Sequence, residues 1–78
     1  MYSNEANIIL DVKGLHCPMP VLKTKKAIDA REPEQVLEVH ATDPASKADI
    51  PALLSRLGHQ LVGLKEEEGV LSFLIKKK

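Results

Sequence analysis

The sequence carries a single cysteine, Cys17, in the run Gly14-Leu15-His16-Cys17-Pro18-Met19-Pro20. Taken alone, a solitary cysteine reads as a small buried hydrophobe. Its context points elsewhere. Cys17 lies at a strand-to-helix junction, outside both apolar stripes, and such connections run over the surface. Pro18 disfavours helical geometry at Cys17 and favours the extended form that precedes a helix. Pro18 and Pro20 have no N–H, so other early amides, those of Met19 and Val21 among them, are expected to be free donors at the positive end of the helix dipole. A thiolate held there is stabilised, and the expectation is a pKa below the usual value of about 8.5. The proline rings of Pro18 and Pro20, with Met19 between them, fix the sulfur in place. If the helix starts only at Pro20, the dipole acts from further away. Lys13, Lys23, Lys25 and Lys26 would then supply more of the positive potential. The same lysines read equally well as a solvated helix face.

Few reactions suit one activated thiol. A thioredoxin-like cycle needs a second cysteine to resolve a mixed disulfide. A hydrolase needs a general base and an oxyanion hole. His16 is adjacent in sequence, and neighbouring side chains diverge. His40 belongs to a strand face and His59 lies beyond the second helix, with no third orienting group in view. Spaced ligand pairs for a metal are missing, so the three histidines read as surface residues. Carrying a sulfur atom needs one thiol alone: a thiolate takes the terminal sulfur of a donor's persulfide and presents it to an acceptor.

The elements that must position this thiol follow from periodicity. Ile8 to Lys13 reads as a strand, with Ile8, Leu10 and Val12 on one face and Asp11 and Lys13 on the other. A helix is expected from Pro18 or Pro20 to Ala30, burying Val21, Thr24, Ala27 and Ile28. Arg31-Glu32-Pro33-Glu34 ends it. Gln35 to Ala41 is a second strand, with Leu37, Val39 and Ala41 inward and Glu38 and His40 outward. This strand–helix–strand order implies a right-handed crossover between parallel strands.

Asp43 caps the next turn, and Pro44 suits a first helical position. Ser46 and Asp49 offer later starts for the same helix, whose firm part is Ile50 to Leu57. Its stripe is Ile50, Leu53, Leu54 and Leu57, and Gly58 is its stop. Gln60 to Glu66 is a third strand, with Val62 and Leu64 inward. Glu67-Glu68-Gly69 is a hairpin turn, and Val70 to Lys76 a fourth strand with Leu71, Phe73 and Ile75 inward. Lys76-Lys77-Lys78 reads as a solvated tail. The expected fold class is α/β (α+β): a two-layer βαβαββ sandwich, with two helices packed on one face of a four-stranded mixed sheet. The other face, with Asp11, Lys13, Glu38, His40 and Lys65, meets water or a partner.

The 78 residues suffice for one domain spanning 1–78, with residues 1–6 polar and frayed. Lysine plus arginine and aspartate plus glutamate number 11 each, giving zero formal net charge. That argues against a general nucleic-acid binder. Nothing reads as a membrane span or a signal peptide. A soluble, reduced, cytoplasmic setting fits, and Cys17 would stay a free thiol there.

The pattern Leu10-Asp11-x-x-Gly14-Leu15-x-Cys17-Pro18-x-Pro20-Val21 resembles the signature of the TusA/SirA-like sulfur-carrier family, whose hallmark is Cys-Pro-x-Pro at the start of the first helix. The likeness continues through Ala41-Thr42-Asp43-Pro44-Ala45, Asp49-Ile50-Pro51 and Gly58-His59-Gln60-Leu61-Val62 into the closing hairpin. It implies a two-layer sandwich and a sulfurtransferase role. Cys17 would accept persulfide sulfur from a cysteine desulfurase or rhodanese-like donor and relay it to an acceptor protein. It implies no cofactor beyond that covalent sulfur. Members serve tRNA 2-thiouridine formation, molybdenum-cofactor biosynthesis or sulfur oxidation, and the motif does not choose among them. His16 stands where basic residues are common in relatives, so His16, Lys13, Lys23 and Lys26 are candidates for electrostatic steering or docking. The expected state is a monomer without direct nucleic-acid binding.

Two other readings stay open on the residues. One is a non-catalytic RNA-binding or regulatory module, weakened by neutral charge and by having only Tyr2 and Phe73 as aromatics. The other is a redox-sensing thiol forming intermolecular disulfides.

Overall fold

The computed structural model describes residues 8–78. The expected fraying of residues 1–6 lies outside the described residues. Six elements follow in βαβαββ order: β1 (Ile8–Val12), α1 (Met19–Asp29), β2 (Val36–Ala41), α2 (Ser46–Leu57), β3 (Gln60–Glu67) and β4 (Val70–Lys76). The strands form one mixed sheet in the order β1-β2-β4-β3. β1 and β2 are parallel, with Leu10 opposite Val39 and Val12 opposite Ala41. β4 runs antiparallel to both β2 and β3.

Strict alternation fixes which face is buried. Leu37, Val39 and Ala41 on β2 and Leu71, Phe73 and Ile75 on β4 are buried, together with Ile28 of α1 and Ile50 and Leu54 of α2. Both helices therefore cover the same side of the sheet. Fully burying a side chain of this size contributes about 1.5–3 kcal/mol, so these residues hold the thin core together. Glu38, His40, Ser72 and Leu74 occupy the uncovered face, where His40 Nε2 and Glu38 Oε2 lie 2.6 Å apart.

The hairpin between β3 and β4 closes through two residues with positive φ, Glu68 (50°) and Gly69 (81°). That geometry matches the twist of antiparallel strands. Gly58 ends α2 in the left-handed region at φ 86°, its N–H donating to Leu54 O at 2.8 Å.

Four expectations need correction. Val62 and Leu64 are not buried in the core: they are 54% and 41% exposed, Leu64 although it lies opposite buried Phe73, on the edge strand. The register shifts between Leu61 and Gly63, so Leu61 stays opposite Ile75 while Val62 is the extra residue of a bulge. The second helix begins at Ser46, after Ala45, and Pro51 lies inside it. An interior proline cannot donate its own helical hydrogen bond, and its ring crowds the carbonyl four residues earlier, that of Lys47. The end of the chain is not a solvated tail. Lys76 belongs to β4, and Lys77 N–H donates to Gln35 O at 2.8 Å. Lys77 Nζ donates to the carbonyls of Ile28 (3.2 Å), Asp29 (3.3 Å) and Arg31 (3.1 Å), placing a cation where the α1 dipole ends. Nor are all three histidines surface residues, since His40 and His59 are half-buried.

Candidate functional site

Parallel neighbours put the C-terminal ends of β1 and β2 side by side. The loops that leave them, 13–18 and 42–45, therefore meet. In open sheets of this kind such strand ends are where ligands are met. Hydrogen bonds lace the two loops together. Gly14 N–H donates to Thr42 Oγ1 at 2.9 Å, and Cys17 N–H donates to Asp43 Oδ2 at 2.8 Å. The other Asp43 oxygen accepts the Ala45 N–H at 3.1 Å, and Asp43 O accepts the Ser46 N–H at 3.0 Å. Asp43 thus shapes the turn that leads into α2, but it is not the helix's N-cap as expected: that residue is Ala45, which has no side-chain capping bond. The tie of Asp43 to Cys17, 26 residues away, has no signal in the local pattern.

Cys17 is a free, exposed thiol. Its sulfur faces Asp49, in the first turn of α2, with Sγ 3.8 Å from Oδ2. A protonated thiol donates in this contact and the carboxylate accepts. Asp49 was legible only as a helix-start residue; nothing local links it to the cysteine.

The first helix starts at Met19, with Pro18 as its N-cap and Pro20 buried inside the first turn. The Cys17–Pro18 peptide is cis. Pro18 is exposed and Met19 is 40% exposed. Of the amides expected to face the sulfur, that of Met19 is spent elsewhere. Cys17 N–H goes to Asp43, and Met19 N–H goes to His16 O at 2.9 Å.

The expected lowering of the thiol pKa is therefore reversed. Desolvation, the Asp49 charge, the hydrogen bond to Asp49 and the Asp43 charge all raise the Cys17 pKa above its ordinary value. Because the side chain remains exposed, desolvation there is slight in physical terms and the two carboxylates matter more. The thiol is solvent-reachable, as expected, and is held neutral rather than ionised.

The basic candidates do not gather at the sulfur. His16 is exposed and its imidazole makes no bond among the described residues. Lys13 is exposed, its backbone N–H donating to Asp11 Oδ1 at 2.9 Å. Lys23 and Lys26 flank a shallow apolar groove with Leu10, Ala27 and Ala30. Lys25 pairs with Asp29 at 3.0 Å along the helix. Among the described residues, no group of three or more His, Cys, Asp or Glu side chains could hold a metal ion. No helix among them is long and apolar enough to cross a membrane.

Comparison with known proteins follows this geometry. The family model described as Sulfurtransferase TusA matches residues 8–77. The sulfur carrier protein TusA of Allochromatium vinosum is 48% identical over 68 residues, covering 87% of this chain and 90% of the relative. YrkF of Bacillus subtilis is 44% identical over 73 residues; the match takes in 94% of this chain but 40% of YrkF. The crystal structure of a SirA-like protein from Desulfitobacterium hafniense superposes with a TM-score of 0.75 at 28% identity, covering 87% of this chain and 93% of the other. With a match over nearly its whole length and a shared βαβαββ fold, the chain belongs to the TusA family of sulfur carriers.

Proposed function

We propose that Cys17 carries sulfur as a persulfide, accepted from one protein and handed to another. Loading is an exchange without net oxidation: donor–S–S–H plus Cys17–S–H gives donor–S–H plus Cys17–S–S–H. The bond between the donor's two sulfurs breaks, a bond to Cys17 Sγ forms, and the proton ends on the donor thiol. The observation that supports this reading best is the placement of the one cysteine, exposed on a loop whose backbone is anchored to Asp43. Pro18, Met19 and Pro20 are the residues that position the thiol. A cysteine desulfurase or a rhodanese-like protein is the donor class. The acceptor is a further relay protein serving tRNA thiolation, cofactor biosynthesis or sulfur oxidation. Lys13, Lys23, Lys26 and His16 offer positive charge for docking such partners. The work needs no cofactor beyond the covalent sulfur and suits a cytoplasmic monomer that binds no nucleic acid directly.

The test is loading with a cysteine desulfurase and free cysteine, followed by intact mass. The expected gain is one sulfur, about 32 Da, on a thiol that is exposed to the donor. Cys17→Ser should abolish the gain and leave urea unfolding unchanged, as exposed substitutions usually do. A gain that survives Cys17→Ser rejects the assignment.

A further inference from the structure

Among the described residues, Asp49 is the sulfur's one hydrogen-bond partner. It is half-buried in the first turn of α2, so the helix rather than a flexible tether sets its position. The titratable groups at the sulfur are Asp49 from α2, Asp43 from the turn before it, and exposed His16 from the same loop. Neither carboxylate is ion-paired among the described residues. The helix mouth that sequence reading made electropositive is thus lined on the sulfur's side by two anions.

A sulfur carrier alternates between two forms that differ in charge. Unloaded, Cys17 is a thiol and is neutral while protonated. Loaded, it is a persulfide, a stronger acid than a thiol, and so an anion near neutral pH. A fixed negative charge beside the group favours the neutral form and penalises the anionic one. We infer that Asp49 sets how tightly Cys17 holds sulfur: its carboxylate, 3.8 Å from Sγ, favours the empty thiol over the loaded persulfide and so promotes hand-off to an acceptor. The inference rests on the persulfide reading above. Discharge to a small thiol such as glutathione shows the balance: Cys17–S–S⁻ plus G–S–H gives Cys17–S–H plus G–S–S⁻. The S–S bond to Cys17 breaks, one to glutathione forms, and the glutathione proton moves to Cys17 Sγ beside Asp49.

The experiment equilibrates the full chain with a fixed mixture of glutathione and glutathione persulfide at pH 7 and reads the loaded fraction by intact mass. Asp49→Asn keeps the shape and removes the charge. Its ratio of loaded to empty protein should rise about 3- to 10-fold, the range for one like charge at close but solvated distance. Asp49→Glu should stay within about twofold of wild type, because the charge is kept. The pH profile of iodoacetamide alkylation on the empty protein is the second readout. Its midpoint should fall in Asp49→Asn, and in wild type it should fall as salt is raised, because ions screen the carboxylates. Equal loading ratios in wild type and Asp49→Asn would overturn the inference and leave the carrier reading standing. Loading of neither protein would overturn both. Should Asp49→Asn not fold, a wild-type midpoint that salt does not move overturns the inference by itself.

Discussion

The Asp43 carboxylate accepts the backbone N–H of Cys17 at 2.8 Å and, through its other oxygen, the N–H of Ala45 at 3.1 Å. One side chain therefore sets both the start of α2 and the height of the sulfur-bearing loop. Asp43→Ala should lower stability by about 1–2 kcal/mol, the usual cost of losing a capping-type acceptor with a charged hydrogen bond. Asp43→Asn, which keeps an acceptor oxygen, should cost less. Urea unfolding of the two variants checks the order; equal losses would mean that the carboxylate acts through charge alone.

Thr24 is fully buried on α1, and its hydroxyl has no hydrogen-bond partner among the described residues. A buried hydroxyl without a partner is a standing cost. Thr24→Val keeps the branched shape and should raise stability by about 1 kcal/mol, read as a higher midpoint in thermal unfolding. A loss would show that a water or a main-chain oxygen satisfies the hydroxyl in solution.

His59 Nδ1 accepts the N–H of Lys78 at 3.1 Å, which requires that nitrogen to be unprotonated. Burial lowers the His59 pKa, the Lys77 charge lowers it further, Asp29 opposes, and Lys78 adds to the lowering. A histidine whose folded pKa lies below its unfolded value of 6.5 favours the native state while neutral. That contribution is present above pH 6.5 and is lost as pH falls through the folded value. Urea midpoints should therefore drop between pH 7 and pH 5, and His59→Gln should flatten part of that slope. An unchanged slope in the variant would assign the acid sensitivity to other groups.

Most of the fold was legible because its rules are local. Leu37, Val39 and Ala41 alternate with Glu38 and His40, and the structure buries the first three. Gly58 stops α2 as its type suggests. Legibility failed where a distant partner decides. Val62 looks like a core residue by period two, but a bulge takes it out of the register opposite β4, and Leu64, opposite buried Phe73, lies on the edge strand and stays 41% exposed. Lys77 looks like tail because its charge signals water, yet it reaches three carbonyls more than 45 residues earlier. Within the site, the exposure of Cys17 followed from its place at a strand-to-helix junction. The sign of its ionisation did not. That sign depends on Asp43 and Asp49, which are 26 and 32 residues away and come to the sulfur loop through the pairing of β2 with β1.

The same separation has a consequence for the life of the protein before it is finished. While the chain is still being made, neither carboxylate can reach the sulfur, and the nascent polypeptide displays an ordinary cysteine. Folding then quiets this thiol without hiding it. The empty carrier should accordingly react with electrophiles more slowly than newly synthesised or unfolding molecules, and its protection ends when the anionic persulfide is loaded.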